Sequence, residues 1–413
     1  MIERLARWWP ALLLGLATIG AYGTAYYAIG VLIPVIAEET GWSSSLLSAG
    51  FSLGVLGQGG IALLAGHTFD RRGSRPVLLP AIALGATLLL LASMAQAPWH
   101  FVLTWALGGA IIGGGLYYNV TMPVTARLYP NHRAAAFSIL TLLGALASPI
   151  FYPVAAWFVD LWGWRGGLQG LIVLTVLCVA PAALFVRAPA ASRPRDDVTA
   201  DSLIAALRRP AVYRVLLVFA LAGLANAAVL LHQVGALQAA GLSLAAASAF
   251  AGMRGAFQIP GRLFLTPLTA RFGVRGAIGG CYALGATASL ALLIAVGGTA
   301  PFLFGFYFTA IGGIAFGLLS PLNGLFQTEV YGDARLGTLN GVSVVVTSIA
   351  AALGAWLAGL LVDLTGSYLP MVAAVALLQA LAVAALLWQR AADPAHSTPP
   401  VPSLTPQHTH NEQ

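Results

Sequence analysis

Apolar residues run along this chain in about twelve blocks, and polar residues gather in the gaps, which are centred near residues 40, 72, 97, 130, 163, 200, 241, 273, 299, 333 and 366. A helix needs about 20 apolar residues to cross the hydrocarbon of a bilayer. Backbone in lipid must satisfy its own hydrogen bonds, so each block predicts a helix. The expected fold class is therefore all-α membrane protein: twelve transmembrane helices in two pseudo-symmetric six-helix bundles. Residues 1–187 are expected to form the N-terminal bundle and 211–390 the C-terminal bundle. Residues 188–210 between them read as a solvated linker, because three prolines alternate with Arg193, Arg195, Asp196, Asp197 and Asp201. The segment 391–413 is rich in proline and polar residues and is expected to be a disordered tail, in which His408 and His410 are too few for a metal site. The first block, from about Trp8 to Ile36, outruns the core of about 7–15 residues of a cleavable signal and reads as the first span.

The second half repeats the first. Asp70-Arg71-Arg72-Gly73-Ser74-Arg75 stands between spans two and three, and Ala270-Arg271-Phe272-Gly273-Val274-Arg275 between spans eight and nine, an offset of 200. Val159-Asp160 with Gly163 corresponds to Val362-Asp363 with Gly366 at an offset of 203, and Tyr129 corresponds to Tyr331 at 202. Three similar offsets in one order predict a duplicated six-span unit, the arrangement in which one half rocks against the other.

Charge orients the helices. If the N-terminus is cytoplasmic, 17 of the 20 arginines fall on that side and only Arg165 falls outside, leaving Arg254 and Arg262 within the eighth span. The positive-inside rule then places both termini in the cytoplasm, in a bacterial-type cytoplasmic (inner) membrane. Composition agrees: 59% of residues are hydrophobic and 8% charged, with a mean hydropathy of +0.86, whereas soluble domains are about one-quarter charged. The net charge of +7 is scattered between apolar blocks, with no basic face for nucleic acid. Lysine is absent, which removes the phosphate-loop lysine and any Schiff-base or nucleophilic lysine. No HExxH or GxSxG pattern and no large soluble segment stands in for them. An enzyme and a cofactor are therefore not expected. Cys178 and Cys281 lie inside apolar blocks and read as packing residues.

The run from Gly66 through His67, Thr68, Phe69, Asp70, Arg71, Arg72, Gly73, Ser74 and Arg75 to Pro76 is similar to the loop motif of the major facilitator superfamily, and the resemblance extends to about Arg390. It implies alternating-access transport by a monomer. It also implies that Asp70 and Arg71, with Gly66, Gly73 and Arg75, belong to a cytoplasmic latch between the halves; the plainer reading is that they anchor a loop. The second copy carries Ala270 in place of the acid. Gly113-Gly114-Gly115-Leu116-Tyr117-Tyr118-Asn119, continuing through Tyr129, Arg133 and Pro149 to Gly163-Trp164-Arg165, resembles the monocarboxylate transporters and the bacterial oxalate-formate exchangers, as does Gly261-Arg262. The start of the chain departs from the acidic beginning of animal monocarboxylate transporters, reading Ala21-Tyr22-Gly23-Thr24-Ala25-Tyr26-Tyr27, and the exchanger's lysine in span eleven is missing.

Arg254 and Arg262 carry the candidate chemistry. A charge at the centre of a membrane helix costs about 2.5–3.5 kcal/mol on the insertion scale, so each needs a compensating partner. On a regular helix Arg254, Gln258 and Arg262 would fall at about 0°, 40° and 80°, one polar stripe facing a central cavity. No acid is expected at mid-depth: Asp160 and Asp363 fall at outer ends, and Asp70, Glu329 and Asp333 at cytoplasmic ends. The missing negative charge is then expected to arrive with a small organic anion. A guanidinium fork matches a carboxylate, and phosphate or an arsenical oxyanion would fit too. Tyr22, Tyr26, Tyr118, Asn119, Asn226 and Gln233 are candidate supporting groups, each reading equally well as a bridge between helices. His232 is a candidate for proton coupling, although a lone histidine there is more often structural. The expected partners are the bilayer and the anion, with a coupled proton or an exchanged anion. The alternatives are an efflux pump for a drug, metabolite or oxyanion and, further off, a non-transporting membrane sensor.

Overall fold

The computed structural model describes residues 2–190, 210–331 and 336–392. Most of the expected linker, the tail with His408 and His410, and Asp333 and Arg335 lie outside the described residues.

Helix α1 (Ile2–Tyr22), a π-helical turn (Gly23–Ala28) and α2 (Ile29–Thr40) make the first span. There follow α3 (Ser44–Arg72), α4 (Arg75–Ser93), α5 (Pro98–Leu116), α6 (Tyr118–Leu128), α7 (Arg133–Gly144) and α8 (Ala147–Phe185). The second half holds α9 (Pro210–Ala239), α10 (Leu244–Ala256), α11 (Gln258–Leu263), α12 (Leu265–Val296), α13 (Pro301–Tyr331), α14 (Leu336–Thr365) and α15 (Leu369–Ala392). Ten helical stretches among the described residues are long and apolar enough to cross a membrane. Two of them turn over at a glycine with positive φ. Helix α8 does so at Gly163 (φ 65°), which divides the fifth span from the sixth. Helix α12 does so at Gly273 (φ 70°), so its first turns complete an eighth span begun by α10 and α11. With those two turns counted, the ten stretches are the twelve expected spans.

The internal repeat is visible in the backbone. Gly73 and Gly273, 200 residues apart, both take positive φ, and so do Gly163 and Gly366. Helices α3 and α10 start alike: Ser43 accepts a hydrogen bond from the Leu46 amide at 3.3 Å, and Ser243, again 200 residues on, accepts one from the Ala246 amide at 3.2 Å. Each is a serine N-cap satisfying an amide that the first helical turn leaves without a partner.

One end of the bundle carries Arg71, Arg127 and Arg271 and is called the near end; the far end carries Ser44 and Asp363. The halves meet toward the far end. Asp363, at the end of α14, accepts the Ser44 and Ser45 amides of α3 at 2.8 Å each, so an acid of one half caps a helix of the other. Ser52 donates to the Ala352 carbonyl at 2.7 Å. Tyr152 donates to the Leu230 carbonyl at 3.0 Å and accepts from Gln233 Nε2 at 2.8 Å. Small residues allow the approach, as in other membrane interfaces: a Cβ added at Gly30 would stand 3.1 Å from the Leu230 and Leu231 carbonyl oxygens. One apolar cluster takes Phe151 and Ala155 from the first half and Val234, Phe308 and Met371 from the second. The far end is closed.

Candidate functional site

Three spans depart from regular helix at the centre of the molecule, and each departure delivers a side chain to one cavity. In the first span the π turn adds a residue to the helical register, which brings Tyr27 into the lining together with Tyr22 and Tyr26. Gly23 faces the Phe151 ring so closely that no side chain could stand between them. In the fourth span the chain is extended at Tyr117 (φ −79°, ψ −175°) between α5 and α6. Asn119 Nδ2 donates to the Gly114 carbonyl at 2.7 Å across that break, satisfying a group the helix leaves open. The break turns Tyr117 onto Tyr22, the rings stacked at 3.8 Å and 13°.

The eighth span is interrupted twice, for the same reason each time. Proline has no N–H to give the carbonyl four residues before it. Helix α10 ends at Ala256, four before Pro260, and α11 ends at Leu263, four before Pro267. The continuous polar stripe expected through Arg254, Gln258 and Arg262 is therefore broken. Arg254 and Gln258 line the cavity. Arg262 is exposed and is not among the residues lining either chamber.

The cavity has two joined chambers between the halves. The inner one, of about 250 Å³, is walled by Tyr22, Tyr26, Tyr27, Tyr117 and Tyr152, with Gln58, Ser148, Gln233 and Gln258 as polar groups. The second, of about 390 Å³, runs toward the near end past Asn226, Asn323, Gln327 and Ser343. Tyr26, Leu230, Arg254 and Phe316 border both.

Arg254 is the charge at their junction. Its residue is 8% exposed, and its Nε has no hydrogen-bond partner. The guanidinium carbon lies 5.5 Å from the ring centroids of both Phe308 and Phe316. Among the described residues no acid pairs with it; acids pair elsewhere, as in Arg127–Asp70, Arg165–Glu39 and Arg275–Glu329. Two cation–π contacts return about 0.5–2 kcal/mol each, well short of the several kcal/mol that effective desolvation of a buried ion costs.

The other expected residues divide by place. Tyr22, Tyr26 and Gln233 line the inner chamber and Asn226 the second. Tyr118 is partly buried beside Tyr22, at 5.4 Å. Asn119 is exposed and bonds to backbone. His232 is 1% exposed, with Nε2 3.2 Å from both Ser48 Oγ and the Ala355 carbonyl, in the far-end contact between the halves. The residues expected in the latch act inside their own half. Asp70 pairs with Arg127, which also donates to the Phe69 and Pro189 carbonyls at 3.2 and 3.1 Å. Gly73 turns against Ala188, Gly66 faces open space, and Arg71 and Arg75 are exposed. In the second half Arg275 and Glu329 lie 3.5 Å apart. Glu329 stands 202 residues after Arg127, but the position of Asp70 is taken by Ala270 and Arg275 is the counterpart of Arg75, so the second half forms its bridge from a different residue of the loop. Tyr27, Tyr117, Tyr152, Gln58, Ser148 and Phe316 complete the lining without having been singled out from the sequence. A polar residue in mid-block, as Gln58 and Tyr152 are, was the available signal.

Two six-span repeats around one polar cavity, closed at the far end, define a polytopic α-helical membrane protein whose two halves form the site jointly. The chain belongs to the major facilitator superfamily, which its residues 14–308 match. Multidrug resistance protein MdtL of Escherichia coli is 28% identical over 184 residues, which is 42% of this chain and 46% of that protein. Multidrug resistance protein MdtH of Yersinia enterocolitica is 25% identical over 135 residues, 32% of this chain and 33% of that one. The chain thus spans less than half the length of these curated relatives. Among solved structures, nucleoside transporter NupG superposes with a TM-score of 0.74 at 14% identity, over 93% of this chain and 98% of that one. A POT family transporter in complex with 5-aminolevulinic acid gives 0.66 at 16%, over 93% and 96%. At such identities the likeness is one of fold.

Proposed function

We propose that the protein is a secondary active or facilitative transporter of a small organic anion, a monocarboxylate, working by alternating access with both termini in the cytoplasm. The observation that carries this reading is Arg254: buried, unpaired, and placed where the two halves and both chambers meet. A permanent cation in a low-dielectric site is most readily neutralised by a ligand with one negative charge, and the guanidinium fork holds a carboxylate by two parallel hydrogen bonds. Arg254 takes the charge in this reading, with Gln258, Tyr26 and Gln233 oriented around the same chamber, while Arg262 and Asn119 stand outside it. The far-closed arrangement is one of the two states such a cycle requires. The resemblance of the Gly113–Arg165 stretch to monocarboxylate transporters points the same way.

Export of an anionic or neutral drug or metabolite is the second reading, favoured by the partial likeness to MdtL and MdtH. Cationic drugs fit neither reading, because Arg254 repels them. The test is uptake of labelled lactate, pyruvate, oxalate and formate, with a neutral control, into proteoliposomes holding the full chain or Arg254→Ala, with and without a pH gradient. Anion uptake that depends on Arg254 is expected. Absence of anion uptake, or equal uptake by the variant, overturns the anion reading.

A further inference from the structure

We infer that the anion carries a planar ring: the cavity is built for an aromatic monocarboxylate, its carboxylate on Arg254 and its ring against the wall formed by Tyr22, Tyr26 and Tyr117. The inference rests on the anion reading of Arg254 and deepens it.

Charge count limits the ligand first. Among the described residues, Arg254 is the single charged side chain lining either chamber. One guanidinium balances one carboxylate. A second carboxylate on the same ligand would be desolvated with no cation to meet it, a burial that the cavity's amides and hydroxyls compensate poorly. Lactate and benzoate satisfy this condition equally; oxalate in its dianionic form does not.

The wall then separates the ring-bearing acid from the short one. Five tyrosines line the inner chamber, and their rings pack on one another as one aromatic wall. Tyr22 lies flat on Tyr117. Tyr26 stands edge-on to both, at 5.7 Å and 81° from Tyr22 and 6.2 Å and 89° from Tyr117. Tyr27 is edge-on to Tyr26 at 5.3 Å and 87°. The rings thus already pair face to face and edge to face with one another, and a ligand ring can extend the same cluster in offset or T-shaped geometry. Phe316, at the boundary of the chambers, carries the same surface up to Arg254. A short aliphatic acid on Arg254 would leave that wall facing water.

Volume agrees with the wall. The two chambers, about 250 and 390 Å³, fall near the range of about 300–1,000 Å³ that encloses ligands larger than a three-carbon acid. Aromatic walls of this kind also hold quaternary ammonium ions, but the guanidinium among these rings excludes that class.

The experiment measures equilibrium binding of labelled benzoate to the full chain in proteoliposomes, with displacement by cyclohexanecarboxylate, acetate and benzamide. Cyclohexanecarboxylate matches benzoate in charge and approximate size but has no π-face. The inference predicts that benzoate binds about three- to tenfold more tightly than cyclohexanecarboxylate, the fold-change that a favourable ring pair brings beyond area. It also predicts that benzamide and acetate displace poorly. Tyr26→Leu is expected to bring the ratio of benzoate to cyclohexanecarboxylate affinity toward one, and Tyr26→Phe to keep the ratio. A thermal unfolding midpoint of the Leu variant within a few degrees of the parent shows that it is folded, and an unchanged affinity ratio in that folded variant overturns the aromatic inference. Equal binding of benzoate and cyclohexanecarboxylate by the parent overturns the aromatic inference and leaves the anion reading standing. Binding of benzamide as tight as benzoate, or benzoate binding undiminished in Arg254→Gln, overturns the anion reading itself.

Discussion

Removing the carboxylate of Asp363 should open the far end. Asp363 accepts the amides of Ser44 and Ser45 at 2.8 Å each, at the N-terminus of α3 in the opposite half. A side-chain cap of this kind contributes about 1 kcal/mol, and a negative charge at a helix N-terminus adds about 0.3–1 kcal/mol. Asp363 stands at an exposed rim, where solvent screens the charge, so about 1–1.5 kcal/mol in all is reasonable for Asp363→Ala. That energy acts only when the halves touch, so it belongs to the equilibrium between far-closed and far-open states and not to the folding of either half. The expected shift in that equilibrium is about five- to tenfold. Asp363→Asn keeps one acceptor and loses the charge, and about half the effect should remain. The assay is a pulsed electron-spin distance measurement between labels at Leu46 and Leu364, both exposed and one on each side of the contact. It would use a background in which the buried Cys178 and Cys281 are replaced. Asp363→Ala should enlarge a longer-distance population at the expense of the short one. Superimposable distance distributions for parent and Asp363→Ala would refute the reasoning, because the capped contact would then contribute nothing to closure.

Gly30→Val should act on the same equilibrium from the first span. Its Cβ would meet the Leu230 and Leu231 carbonyls at 3.1 Å, and overpacking of about 1–3 kcal/mol would fall on the far-closed state, so the same label pair should report separation with little loss of thermal stability. At the near end, Arg127→Asp should lower the unfolding temperature by a few degrees, in keeping with about 1 kcal/mol for a partly exposed pair. The exchange Asp70→Arg with Arg127→Asp should recover part of it by restoring an ion pair, while the Phe69 and Pro189 carbonyls that Arg127 serves lose their donor. Failure of the double exchange to recover would show that the carbonyl contacts of Arg127, and not its charge, hold the loop.

Much of the architecture could be read from the sequence, because span length and repeat spacing are set by bilayer thickness and gene-scale duplication, both one-dimensional signals. The offset of 200 between Asp70-Arg75 and Ala270-Arg275 reappears as paired positive φ angles at Gly73 and Gly273. The site was only partly legible, because it is formed where helices stop being regular. A stripe through Arg254, Gln258 and Arg262 presumes 100° per residue, and Pro260 and Pro267 break that periodicity. The prolines were visible; Arg254, before Pro260, is buried at the junction of the chambers, and Arg262, after it, is exposed. Tyr22 and Tyr26 were found from their four-residue spacing, while Tyr27 enters through a π turn that no spacing rule encodes. Asn119 looked like a ligand because it is polar in mid-span, but it serves the broken backbone at Tyr117. Tyr152 and Gln233 bind each other across the halves, a pairing 81 residues apart that only packing reveals.

The central claim is that Arg254 is an uncompensated charge awaiting an anion, and thermal unfolding of the purified protein and of Arg254→Gln, with and without benzoate, tests it most directly. Without ligand the variant should be at least as stable as the parent, because it no longer buries an unpaired cation. With benzoate at about a hundred times its dissociation constant the parent should gain about 2.7 kcal/mol, seen as a rise of several degrees, and the variant should gain nothing. A variant that is markedly less stable without ligand and rises with benzoate as the parent does would contradict the account, since Arg254 would then be a structural group with a partner of its own.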